Sequence, residues 1–477
     1  MFVQTVTSKM KYRPALSRHL TLTALILASG FSGASAPASA QTLTFAQCVD
    51  TALRQNFDLV ASREQVEQAQ AGLGQAQGKR MPQLTASVNA VGTNDALTAF
   101  GLRLSQRNAN FNDFGAGQFN PGSPGALTVA PTNLNYPGFV KNYNTRVEMQ
   151  IPVYSGGMIS GGIKQAQAYI QAAQNGDQAA RQQVIFQVLR AYQGVYATRA
   201  YLSVTRQSET AAASQVDMMQ KLVNKGVIVK SDLLSAEVHL QDVRVQRTQA
   251  ENAVANALDQ LHLLLGLPLT VPLDIGPPVA VAAVPSGSGD LKQLAVANNP
   301  GINALRHQLE ANQAGVEIAK ALYHPQVGFM LRQDWNDPQM GFGANSYTIG
   351  GTVSWVAFDG GVTKAGVDRA RAAQNETAAK LAQSEANIAF QVADAKRKAG
   401  EAEQRLAVRQ LALTQAEEAE SLVSKRYANG VATITEQLAA EAQLDKARAD
   451  IVTAQYDLII QRAALKLALG QLGLDSL

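Results

Sequence analysis

The chain is written twice. Residues 151–168, IPVYSGGMISGGIKQAQA, match residues 355–372, WVAFDGGVTKAGVDRARA, at an offset of 204, pairing Tyr154-Ser155-Gly156-Gly157 with Phe358-Asp359-Gly360-Gly361. The same offset aligns NKGVIVKSDLLSAEVHL with ANGVATITEQLAAEAQL, and LLLGL with LALGQ. A second correspondence, at 243, pairs QNFDLVASREQVEQAQ with NNPGINALRHQLEANQ, and MPQL with HPQV. The difference places roughly forty extra residues in the first copy, between about 92 and 143, where Asn, Gly, Pro and Phe predominate; this insert reads as one long loop. A tandem of two large units is not a solenoid, which needs at least three small repeats.

Each copy reads as helix, strand, loop, strand, long helix, turn, helix. The division is a first repeat over 41–266, a Pro/Gly linker over 267–289 and a second repeat over 290–477. From about 158 to 224 there is no proline, giving a helix of roughly 100 Å at about 1.5 Å per residue. Val184, Val188, Ala191, Val195, Thr198, Leu202, Thr205, Glu209, Ala212, Val216, Met219 and Val223 keep a 4-3 spacing there. Ile388, Val392, Ala395, Ala399, Ala402, Leu406, Arg409, Leu413, Ala416, Glu420 and Val423 repeat it in the second copy. A heptad that survives duplication predicts coiled-coil packing.

Four segments alternate instead. Leu84, Ala86, Val88 and Ala90 oppose Thr85, Ser87 and Asn89; Val147, Met149, Ile151 and Val153 oppose Arg146, Glu148 and Gln150. Val327, Phe329, Leu331 and Trp335 oppose Gly328, Arg332 and Asp334; Tyr347, Ile349, Val353 and Trp355 oppose Thr348, Thr352 and Ser354. Each is about ten residues, the length of a tilted strand through an outer membrane. A soluble sheet with one face on a core has the same period, but the sequence holds no further apolar layer to cover it. Aromatics near strand ends, Tyr154, Trp335, Tyr347 and Trp355, suit interfacial belts. Four strands cannot close a barrel and lipid tolerates no open edge, so chains must combine. Two would give a barrel filled by side chains, whereas three would give twelve strands and room for water. The charged inward residues favour three.

The N-terminus fits an exported protein. Lys9, Lys11, Arg13 and Arg18 precede LTLTALILASGF and then Ala38-Ser39-Ala40, so 1–40 reads as a signal peptide cut before Gln41. Of 41 Lys+Arg those four fall in the signal, leaving 37 against 37 Asp+Glu and nothing to suggest nucleic acid. Cys48 is the single cysteine, so no internal disulfide is possible, and it reads as a helix residue and not a lipid anchor.

The repeated strand-Tyr/Phe-Ser/Asp-Gly-Gly-helix pattern resembles the TolC-type outer-membrane efflux proteins. So do Asn299-Pro300 ahead of a helix, Lys79-Arg-Met-Pro-Gln-Leu84 before a strand and Tyr427-Ala-Asn-Gly430-Val431 at a helix-helix turn. The resemblance implies an α+β membrane protein: four strands per chain completing a trimeric 12-stranded β-barrel, continued by a long coiled-coil α-helical barrel in the periplasm. The linker and flanking short helices would build an equatorial region. It implies a passive gated exit duct in the outer membrane, serving a tripartite efflux pump or a type I secretion system. Its partners would be a homotrimer, a periplasmic adaptor (membrane fusion) protein, an inner-membrane pump of RND, ABC or MFS type, and outer-membrane lipid.

The resemblance further implies a periplasmic gate at the turns between the long helices, with Tyr427 and Asp232 in a closing hydrogen-bond link. Gly226, Val227, Gly430 and Val431 would meet adaptor tips, and Glu436 would point inward and favour cations. Packing within the coiled coil is the other role open to Tyr427. Two departures count against further elements: Ala432 stands where the family often has a basic residue, and Ala439 where some relatives carry a second acid. Gly156, Gly157, Gly360 and Gly361 turn the chain from strand to helix; Ile163 and Gln165 break any phosphate-loop reading of the first copy. His239, His262, His307 and His324 have no second ligand type at metal spacing. No catalytic constellation stands out, so no enzyme, metal or cofactor is expected. The rival is a periplasmic coiled-coil scaffold without a pore.

Overall fold

The computed structural model describes residues 41–284 and 290–476; the expected signal peptide lies outside them. The first copy begins with β1 (Gln41–Leu43), α1 (Phe45–Gln55) and α2 (Phe57–Gly78). Thr44 and Gln47 close a capping box ahead of α1, and Asn56 caps α2 through the Asp58 amide. Then come β2 (Gln83–Thr93), α3 (Ala96–Ser105), α4 (Thr132–Asn135), β3 (Val140–Tyr154), α5 (Met158–Asn224) and α6 (Lys230–Leu265). The second copy follows β4 (Leu273–Ile275) with α7 (Leu291–Asn298), α8 (Pro300–Lys320), β5 (Gln326–Asp337), β6 (Ala344–Ser354), α9 (Val362–Ala428) and α10 (Ile434–Ala468). The helices α5 and α9 are both 67 residues long.

The four long strands form one antiparallel sheet in the order β2-β3-β5-β6. Because cross-strand partners share a face, the register fixes both surfaces. Leu84, Met149, Leu331 and Ile349 lie in one row; Ser87, Arg146, Asp334 and Ser346 lie in a row on the other side. On that polar side the Asp334 carboxylate accepts from Arg146 Nε at 2.8 Å and pairs with Arg332 Nε at 2.8 Å. Every charge in this row therefore has a partner on a neighbouring strand or two residues along its own. Trp355 lies just past the end of β6, where its indole N–H donates to the Tyr323 carbonyl at 3.1 Å.

Below the sheet α2 packs on α5, α5 on α8 and α8 on α9, the same order as the strands they join. Further down, α6 packs on α5, α5 on α10 and α10 on α9. The 4-3 positions face inward: Val184, Val188, Val195, Ala212, Met219, Val392, Ala402 and Ala416 are buried. The charged members of the heptads are satisfied across helices, while Thr198 and Thr205 donate to carbonyls of their own helix. Glu209 accepts from Arg244 and Arg247 of α6, and Arg409 pairs with Asp450 of α10 at 3.0 Å.

The main apolar core sits at the waist. Phe45, Cys48, Val49 and Ala52 of α1 meet Val188, Leu189, Tyr192 and Val195 of α5, Leu261 and Leu265 of α6, and Ile275 of β4. Parallel pairing of β1 with β4 draws the first residues of the repeat and the linker together here. His262 joins the same region, its two ring nitrogens 2.8 Å from the carbonyls of Leu258 and Val271.

One expectation fails. The insert is not a single loop. Asp95 caps α3 through the Thr98 amide at 2.9 Å, and short 3-10 turns at Phe111–Phe114, Ala116–Gln118 and Ala126–Thr128 follow before α4. The apolar run ALTAFGLRLS inside a polar, Gly-rich segment is enough for three helical turns once Asp95 satisfies the first amides.

Candidate gate and conduit surfaces

Two hairpin tips close the long helices. At each, a glycine in the left-handed region (Gly226, φ 69°; Gly430, φ 74°) ends the helix. The following valine amide reaches back to a carbonyl five residues earlier, Val227 to Leu222 at 3.0 Å and Val431 to Arg426 at 2.8 Å. Val227 and Val431 are left exposed as a matched pair of apolar knobs.

Tyr427 is half-buried against the cluster of Met219, Leu233, Ala236 and Ile434, so both copies contribute to its surroundings. Burial pushes its hydroxyl pKa up, and the neighbouring Asp232 carboxylate adds to the rise. Tyr427 thus lies beside one packed cluster and within range of the charge on Asp232. Glu436 is the repeat counterpart of Asp232. Its carboxylate accepts the Thr433 amide at 2.9 Å, while Thr433 Oγ1 accepts the Glu436 amide at 3.3 Å. Within the chain Glu436 thus completes a capping box and stays exposed. The first copy has Val229 at the matching position and no side-chain cap.

A polar cluster above the tip escaped the sequence reading. Gln437, buried, donates to Glu441 at 3.1 Å and to Glu420 at 3.4 Å. Burial raises the Glu441 carboxyl pKa above its ordinary value, opposed by the Gln437 hydrogen bond and by His239, and reinforced by Glu420 and Asp445. Glu420 on a heptad position was the available signal.

At the strand-to-helix turns all four glycines have positive φ: Gly156 63°, Gly157 97°, Gly360 65° and Gly361 93°. The preceding Ser155 and Asp359 accept the first helical amides, Ile159 at 3.2 Å and Thr363 at 2.7 Å. The two turns differ in their surroundings. A Cβ on Gly156 would lie 2.5 Å from the Ala321 carbonyl oxygen, whereas one on Gly360 would meet nothing within 4 Å. Gly156→Ala should therefore cost more than Gly360→Ala, which pays only the left-handed strain of about 1–2 kcal/mol. Thermal unfolding of the two variants checks this; equal losses would show that strain alone matters.

Among the described residues no helix is long and apolar enough to cross a membrane, and no three His, Cys, Asp or Glu side chains are grouped to hold a metal ion.

Known proteins are similar in sequence and in fold. The family model described as outer membrane efflux protein matches residues 48–267 and 291–471. The solvent efflux pump outer membrane protein SrpC of Pseudomonas putida is 23% identical over 57% of this chain and 59% of its own. The alkaline protease secretion protein AprF of Pseudomonas aeruginosa is 23% identical over 61% of this chain and 62% of its own. The chain thus spans less than two thirds of the length of these curated relatives. The CmeC outer membrane channel of Campylobacter jejuni superimposes with a TM-score of 0.74 at 15% identity, over 90% of this chain and 85% of that one. The fold class expected from the sequence, with four strands per chain toward a twelve-stranded trimeric barrel continued by a long helical barrel, is the fold of such channels.

Proposed function

The chain belongs to the outer membrane efflux protein family, and from that premise we propose that it is an outer-membrane exit duct for an efflux pump or a type I secretion system. Its mechanism is passive: an inner-membrane pump supplies the energy, and this chain supplies a gated conduit. The observation that carries the reading is the two-faced sheet with free outer edges. One face holds Leu84, Met149, Leu331 and Ile349, and suits lipid; the other holds the Arg146–Asp334–Arg332 group, and suits water. Among the described residues the outer edges of β2 and β6 have no partner strand. They run in opposite directions, so β6 of one copy can pair antiparallel with β2 of the next, and repetition of this one head-to-tail contact closes a ring.

The helical layer continues the same two edges. Leu234, Val238 and Val245 are exposed on α6, and Val408, Leu411 and Leu422 on α9. Three copies would bring these faces together and line the bore with the polar side. The exposed Val227 and Val431 at the tips would dock a periplasmic adaptor, and Tyr427 with Asp232 would hold the tips closed.

Planar-bilayer recording tests the duct and its gate together. The protein should fractionate with the outer membrane and conduct ions, and Tyr427→Phe combined with Asp232→Ala should raise the conductance. Unchanged conductance would remove the pair from the gate. Release by osmotic shock and electrical silence would favour a pore-free scaffold instead.

A further inference from the structure

The insert of the first copy is built onto the polar face of the sheet. Its α3 ends at Gln106, which is only 8% exposed, and whose side-chain amide donates to the Lys141 carbonyl at 2.6 Å and to Asn142 Oδ1 at 3.0 Å. From there a ladder runs down the sheet. Asn142 Nδ2 donates to Asn336 Oδ1 at 3.0 Å, and Asn144 Nδ2 donates to Asn336 and Asp334, both at 3.1 Å. Arg107 is the only non-glycine with positive φ among the described residues, at 56°. Its guanidinium donates to the Asn345 carbonyl on β6 at 2.6 Å. A segment that leaves β2 therefore reaches the far strand, crossing the full width of the sheet.

The segment is also held to itself. Arg103 pairs with Asp113, and the rings of Phe100 and Phe114 meet edge to face at 4.7 Å. Ala99 is fully buried beneath it. Yet Leu97 and Leu104, on one side of α3, and Phe111 beyond it are exposed, Leu97 by 82%. That is an apolar stripe turned away from its own sheet. The corresponding turn in the second copy, residues 338–343, has no such addition.

Taking the polar face to be the bore, as the proposed duct requires, we propose that three copies of this insert converge at the outer mouth and set a size limit, restricting the duct to compounds of small-molecule dimensions and excluding polypeptide chains. Twelve strands about 4.8 Å apart and tilted by about 40° enclose a ring roughly 24 Å across between backbones. A helix with its side chains is about 10 Å thick, so three fill most of that opening. The occupant of each exposed Leu97–Leu104 stripe is the same stripe of the neighbouring copies. Around the axis they exclude water from one another as buried leucines do.

The test replaces residues 94–139 by the six-residue turn 338–343 in the full-length chain, in the Tyr427→Phe/Asp232→Ala background so that the periplasmic end does not limit flow. Conductance should rise several-fold, and the largest polyethylene glycol that enters from the outer side should become larger. Unchanged conductance and an unchanged polymer cut-off overturn the size limit. A chain that conducts in neither form overturns the duct itself. If the shortened chain fails to assemble, Leu97→Cys in the otherwise intact protein answers the same question. Oxidation should give covalent dimers between copies in the outer membrane, and their absence with unaltered conductance overturns the convergence.

Discussion

Arginine in place of Met149 should leave little assembled protein in the outer membrane. Met149 stands mid-strand in the row Leu84–Met149–Leu331–Ile349, and a lipid-facing arginine near the bilayer midplane costs about 2–4 kcal/mol. The ring repeats that cost in every copy, which brings it to the order of a whole domain's stability. Gln150→Arg is the control. One residue along the strand, Gln150 belongs to the row of Gln83, Met330 and Gly350 on the polar side, where a charge meets water. Denaturant titration of the folded assembly, together with its abundance in outer-membrane fractions, should separate the two variants. Equal losses would mean that lipid does not lie against the Met149 face.

Tyr192→Ala should be the most damaging change in the helical part. Tyr192 is fully buried at the waist, edge to face with Phe45 at 5.5 Å and tilted against Tyr196 at 5.8 Å. Its hydroxyl donates to the Pro277 carbonyl at 3.0 Å. One side chain thus ties the long helix to α1 and to the linker between the repeats. Truncating a buried aromatic costs about 3–5 kcal/mol because the surrounding atoms refill the space only partly. Tyr192→Phe keeps the ring and removes only the hydrogen bond, leaving a carbonyl short of a donor at about 1–3 kcal/mol. Melting temperatures should follow the order wild type, Tyr192→Phe, Tyr192→Ala. A Phe variant as unstable as the Ala one would place the main contribution in the hydroxyl.

The long helices and the four long strands could be read from the residues because period and duplication agree there. A 4-3 spacing that recurs 204 residues later, and ten-residue alternations bounded by glycines, leave few alternatives. Shorter features gave no comparable signal. The strands β1 and β4 have three residues each, too few for alternation to register, and their pairing joins segments more than 200 residues apart. The helix α3 was hidden by the composition around it, although Asp95 ahead of an apolar run was a usable N-terminal sign. At the tips, residue type pointed to the right neighbourhood but not to the partner. The Asp232 carboxylate acts on the Tyr427 hydroxyl through its charge, and Glu436 accepts the Thr433 amide in a capping box. That pairing depends on whether the residue before the helix is Thr433 or Val229, a choice the duplication did not preserve. The buried Gln437–Glu441 contact lay within a helix rich in Glu, where solvated faces are the default expectation.

The equal span of α5 and α9 has a mechanical consequence. Two struts of 67 residues each start from matching Gly-Gly corners and end at matching glycine turns, so both tips reach the same depth. They work as a pair of calipers, fixing how far from the lipid a docking protein must stand and keeping the rim it meets level. Seven residues added to one strut alone would preserve its seam yet tilt that rim by about 10 Å, so length matching between the two halves is itself under constraint.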